Sequence, residues 1–203
     1  MIKVKQIIPS DSVAVSSGVT LGGKAAEVAA WPLNPDGDPL TLVASINCSK
    51  IKGDIKTSCI PSEGVLYIFS TYSKTDYFLE NITYSGDPSE LESILSGYTL
   101  VVLGEGGVFQ DSPVASIPEV ATELKNRQIK DEDFPVFSMI SDFAPHGMIV
   151  PETLMLDYAF VSQLYSGDFS EPFKDIFYLS DAVGYLFLKK DGSGEGLFFV
   201  QTG

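Results

Sequence analysis

Few side chains in this sequence are placed for chemistry. The single histidine, His146, lies in Ala144-Pro145-His146-Gly147, a turn-like context. An imidazole is the readiest general base at neutral pH, but a nucleophilic triad also needs an activated hydroxyl or thiol and an orienting third group. No nucleophile elbow accompanies His146, so it reads as an exposed turn residue with no catalytic duty. Cys48 and Cys59 are the only cysteines. They offer at most one bridge and two of the four ligands a structural zinc takes, and they read as reduced, partly buried thiols. No catalytic, cofactor or metal residue is assigned.

The acids offer more material. Asp36-Gly37-Asp38 and Asp131-Glu132-Asp133 cluster oxygens, but neither continues into the alternating pattern of a calcium loop, so both read as solvated turns. Gly104-Glu105-Gly106-Gly107 follows a strand-like run without the Lys-Ser/Thr of a phosphate loop. A glycosidase-type carboxylate pair is a matter of spatial separation, and the sequence selects no pair. Charge placement is the stronger signal. Residues 1–74 hold seven lysines and six acids, a balance of +1, so the chain after Lys74 carries −15 against a net charge of −14. Such a field speeds encounter with a basic partner and weakens with salt. Glu105, Asp111, Asp131, Glu132 and Asp133 have no helix-capping duty, and they are the expected partner-binding residues.

The chain that must position these groups has 203 residues, 44% hydrophobic and 20% charged, which fits one domain with a sizeable core. Thirteen basic residues against 27 acids argue against nucleic acid, because phosphate contacts call for cations. No apolar run is long enough to span a bilayer, and the start shows no secretory leader. A cytoplasmic location is the expectation.

Ile2–Ile8, Leu40–Cys48 and Tyr98–Leu103 read as strands. Val65–Phe69 and Tyr77–Leu79 read as a hairpin joined by the polar run 70–76. Asp87-Pro88-Ser89-Glu90 has the chemistry of a helix start, with Asp87 as N-cap and Glu90 to answer it, and Gly97 is a natural terminator. Ser116-Ile117-Pro118-Glu119 repeats that logic and predicts a helix to about Asn126. Trp31, before Pro32, reads as a plug between a loop and the sheet.

At an offset of 120 residues Gly64–Ile68 falls on Gly184–Leu188 and Tyr77–Leu79 on Leu197–Phe199; at 118, Leu42–Ile46 falls on Phe160–Leu164. Three strand pairs in one order predict a duplicated β unit, with halves at about 20–84 and 140–203 and a helical insert at about 85–139.

The run Gly22-Gly23, Trp31-Pro32, Asp36-Gly37, Pro39-Leu40, Leu42–Ile46, Pro61, Gly64–Phe69 resembles the opening half of the YwqG-like family, a bacterial family of unknown function. Asp181–Gln201 resembles its ending, and Gln163 sits where the family's strand carries a glutamine. Ser45 departs from the glutamine usual in the first half. The resemblance implies a single α+β domain dominated by antiparallel sheet, with pseudo-twofold halves. Because family members occur among polymorphic-toxin loci, it also implies an immunity role. The functional expectation is therefore a non-enzymatic bacterial protein that sequesters a basic toxin, or another basic protein, through its acidic surface. The alternative is an enzyme acting on a small substrate in an acidic cleft between the halves.

Overall fold

The computed structural model describes residues 1–10, 17–54, 58–104 and 107–202. Its strands are β1 (Ile2–Pro9), β2 (Val19–Leu21), β3 (Ala25–Glu27), β4 (Thr41–Asn47), β5 (Val65–Ser70), β6 (Thr99–Gly104), β7 (Phe109–Asp111), β8 (Val120–Ile129), β9 (Met139–Ile140), β10 (Tyr158–Tyr165), β11 (Val183–Lys189) and β12 (Gly196–Gln201). β3 and β7 pair apart from the rest. The other ten form one antiparallel sheet in the order β12-β11-β10-β9-β1-β8-β2-β4-β5-β6. Its two edges lie side by side, where the Thr99 hydroxyl donates to the Phe198 carbonyl, so the sheet nearly closes on itself.

Outward from the central β1–β8 pair, the sheet runs β9, β10, β11, β12 in one direction and β2, β4, β5, β6 in the other. Each arm contains a long antiparallel pair with one bulge, between Leu42 and Ala44 in β4 and between Phe160 and Ser162 in β10. An extra residue in one strand turns two successive side chains to the same side. Val43 and Ala44 accordingly both enter the interior, with Ile46, Leu66 and Ile68, while Val161, Leu164, Leu186 and Leu188 do so from the other arm. Each such side chain, fully buried, contributes about 1.5–3 kcal/mol.

The outward faces are covered differently. On the first arm Leu42, Tyr67 and Phe69 form a small cluster with Ala26, Val28, Leu40 and Trp31. Trp31 meets Phe69 edge-on at 5.4 Å and donates its indole N–H to the Leu40 carbonyl at 2.8 Å, and so plugs the loop onto the sheet. On the second arm Phe160, Tyr185, Phe187 and Phe199 are buried beneath Tyr84, Ile94, Leu154 and the 137–150 stretch.

The helices are single turns or little more: α1 (Cys48–Ile51), α2 (Leu79–Ile82), α3 (Pro88–Ser93) and α4 (Leu154–Asp157). α3 has the expected capping box between Asp87 and Glu90, and Gly97 takes φ 110° in the turn that follows. Among the described residues no helix is long and apolar enough to cross a membrane.

Three expectations need correction. Tyr77–Leu79 is not a strand: Ser73 Oγ accepts from the Thr75 and Asp76 amides, which turns the chain, and Phe78 then enters the core at the head of α2. β5 pairs instead with β6. The helix expected from Ser116 is β8, because Val120, Thr122 and Leu124 also alternate with period two, and pairing along β1 from Ile2 to Pro9 decides between the periods. The 85–139 segment thus holds α3, β6, β7 and β8 rather than a helical insert. Finally, Gly64 and Gly184 do not correspond. The bulges place Leu42 and Phe69 where Phe160 and Phe187 lie, so both strands share the 118 offset and Gly184 falls opposite Leu66.

Candidate functional site

The clearest concavity bearing predicted residues lies under the segment joining β8 to β9. Asp133 closes a tight turn there: its carboxylate accepts from the Lys130 amide at 2.9 Å, and its own amide donates to the Lys130 carbonyl at 3.2 Å. That turn leaves Asp131 and Glu132 in solvent. The chain then descends onto the barrel as a lip, with Phe134 44% and Val136 52% exposed while Pro135 is buried.

Side chains from β10 and beyond fasten the lip. Gln163, fully buried, donates its amide N–H groups to the Pro135 carbonyl at 2.6 Å and the Phe137 carbonyl at 2.8 Å. Asp168 accepts from the Ser138 amide at 2.8 Å, and Ser138 Oγ accepts from the Tyr165 amide at 2.9 Å. Ser162 Oγ donates to the Met139 carbonyl at 2.9 Å. Backbone groups that would otherwise be buried unpaired are satisfied here by side chains, which holds an irregular segment in one place.

From β8, Arg127 stacks over the Phe137 ring at 4.1 Å and donates to Gln6 Oε1 at 2.8 Å. Between lip and sheet lies a cavity of about 680 Å³ lined by Glu132, Asp133, Asp168, Phe134, Val136 and Arg127, among others. Gly147, with φ 85°, lets the neighbouring turn approach Phe134, since a Cβ there would sit 2.9 Å from the ring. The walls therefore present carboxylates beside apolar surface, an arrangement that suits the ammonium head and methylene stem of a basic side chain. No ion pair reaches Asp131, Glu132, Asp133 or Asp168 among the described residues, although pairs join Lys125 to Glu123, Lys174 to Glu171 and Lys189 to Glu195.

Of the five acids expected to form the partner surface, this groove gathers Glu132 and Asp133, with Asp131 beside them on the same turn. Asp111 is in β7, on the separate two-stranded sheet. Glu105 lies outside the described residues. Sequence reasoning missed Asp168 and Arg127. Asp168 lies in an aromatic stretch with no motif around it, and the one signal for Arg127 is that it is the chain's only arginine.

His146 is exposed in its turn. Cys48 and Cys59 are buried in the interior cluster, and burial pushes each thiol up to about 11. Among the described residues no three His, Cys, Asp or Glu side chains gather as a metal site. A second cavity, of about 690 Å³, adjoins β1 at the centre of the sheet, with Lys3, Lys5, Asp54 and Asp142 in its walls and Lys5 Nζ 2.7 Å from Asp54. It mixes lysines with aspartates and is not a purely acidic cleft.

A family model described as a domain of unknown function (DUF1963) matches residues 21–147. No curated protein matches the chain. The matched span includes the lip and Gly147 but stops before β10, whose Gln163 fastens it.

Proposed function

The chain belongs to the DUF1963 family, and from that premise we propose that it is a non-enzymatic binding protein whose acidic groove takes a basic partner. One observation carries the reading: Glu132, Asp133 and Asp168, without cationic partners among the described residues, share a fastened groove with exposed Phe134 and Val136. A surface that merely kept the protein soluble would need neither the apolar walls nor the hydrogen bonds that hold them. The resemblance to the YwqG-like family and its toxin loci supports the specific form of an immunity protein that sequesters a basic toxin in the bacterial cytoplasm. Matching strand orders on the two sides of β1–β8, with one bulge in each arm, support an origin by duplication, after which only the second arm acquired a glutamine that fastens the lip.

The test is stopped-flow association with a basic partner captured from the native organism, at several salt concentrations. Charge reversal of Asp131, Glu132 and Asp133 to lysine should slow association about tenfold at low salt, with the difference shrinking as salt rises. Folding stability should shift by no more than about 1 kcal/mol, most of it from the lost hydrogen bond between the Lys130 amide and the Asp133 carboxylate, since the charges themselves are exposed. Equal association rates for wild type and variant at every salt concentration would remove the groove from the binding surface.

A further inference from the structure

Arg127 is the only arginine in a chain with 27 acids, and three carboxylate residues line its groove. It nevertheless forms no ion pair among the described residues. What holds it is the face of Phe137 at 4.1 Å and a single hydrogen bond, from Nη1 to Gln6 Oε1 at 2.8 Å. Stacking fixes the plane of a guanidinium and one hydrogen bond fixes its rotation, so its remaining N–H donors form an oriented fork, the geometry that matches a carboxylate bidentately. Arg127 belongs to β8, Glu132 and Asp133 to the turn that follows it, and all three line the cavity.

We propose that Arg127 binds a carboxylate of the partner, so that the groove receives a basic chain terminus: the terminal carboxylate on Arg127, the preceding basic side chain against Glu132, Asp133 and Asp168. This rests on the groove reading above and adds the required second charge. A chain end is chosen over a through-running segment because a free terminus sets a carboxylate within one residue of a basic side chain, matching Arg127 beside Glu132, Asp133 and Asp168 in one groove. An occupant bearing only positive charge would leave the Arg127 cation facing other cations.

The test uses acetylated peptides of alternating lysine and leucine, binding measured by fluorescence anisotropy at low salt. One ends in a free carboxylate, a second in an amide, and a third in an amide with one internal glutamate. The free acid should bind about fivefold more tightly than the amide, the effect of one exposed charge-assisted contact. Arg127→Gln should abolish that ratio without weakening the amide, and Phe137→Leu, which keeps the cation but removes its platform, should reduce it. A ratio of one in the wild type overturns the Arg127 proposal and leaves the groove reading standing. Failure of all three peptides to bind overturns both. A ratio that survives Arg127→Gln places carboxylate recognition elsewhere and also overturns it. Equal binding of the internal-glutamate amide and the free acid overturns the terminal assignment.

Discussion

Ser45 and Gln163 occupy the same place in two hairpins of matching register, each two positions past a bulged valine, and each paired across the ladder with a tyrosine, Tyr67 or Tyr185. Their surroundings diverge because their lengths differ. Gln163 reaches the carbonyls of Pro135 and Phe137, so an irregular lip is tied down from that arm, and the groove forms between the lip and the central β1–β8 pair. Serine is too short for such a tie, and the first arm is covered instead by the loop anchored through Trp31. Two arms of matching register can thus be covered differently when a single side chain decides which loop is fastened.

The tyrosines carry the same contrast. The Glu27 backbone hydrogen-bonds the Tyr67 hydroxyl, whereas the Tyr185 hydroxyl is buried without a hydrogen-bond partner among the described residues. Volume is exchanged as well. Gly184 stands where the first arm has Leu66, and the space goes to Phe198, whose counterpart is the smaller Val101. A Cβ on Gly184 would lie 2.2 Å from the Phe198 ring.

The sharpest test of the comparison is Gln163→Ala against Ser45→Ala. Loss of two hydrogen bonds to lip carbonyls, with a cavity left behind, should cost about 2–4 kcal/mol at Gln163, and the serine change less than about 1 kcal/mol. Urea denaturation of both variants measures the difference, and hydrogen exchange at the amides of residues 136–138 should rise in the first variant alone. Similar costs would mean that the glutamine does not distinguish the arms.

Next in size is Gly184→Ala, which should cost about 1–3 kcal/mol by overpacking. Adding Phe198→Leu should return part of it, since the two residues share one space and their effects should not add. Strict additivity in the double variant would break the volume-exchange account.

The smallest effect has opposite signs on the two arms. Tyr67→Phe should destabilise by about 1 kcal/mol through its lost hydrogen bond, while Tyr185→Phe should be neutral or stabilising, because it removes a hydroxyl buried without a partner. Burial pushes both phenols above their ordinary range. The folded state therefore holds these protons after the unfolded chain has released them, so their stabilisation is intact below about pH 10 and declines as pH rises toward the folded values. Tyr185→Phe should flatten the alkaline loss of stability seen by thermal unfolding between pH 9 and pH 11. An unchanged alkaline slope would show that the buried phenol does not contribute to it.

Much of the fold was legible locally. β1, β4, β5 and β6 announce themselves through β-branched and aromatic runs without internal breakers, and α3 through Asp87, Pro88 and Glu90, whose capping chemistry is complete within four residues. β8 was not legible, because Ile117, Val120 and Leu124 satisfy a helical period while Val120, Thr122 and Leu124 satisfy a strand period. Pairing with β1, a partner more than a hundred residues away, resolved it. Of the site, the acids of the 131–133 turn could be read from charge and the lack of capping duty. Arg127 and Asp168 could not, since their roles consist of distances to Phe137 and Ser138.

By itself the sequence determined the class of the molecule: one predominantly β domain, strongly acidic after Lys74, with no set of side chains spaced for a familiar reaction. Those are properties of composition and of neighbours within a few residues, which every conformation of the chain shares. Tertiary structure alone decided that β5 pairs with β6 and not with Tyr77–Leu79, that β4–β5 and β10–β11 share one bulged register, and that a glutamine on β10 fastens a lip beside Arg127. Each depends on which distant segments bury one another's apolar faces and satisfy one another's backbone groups, and such pairings are settled only when the sheet closes.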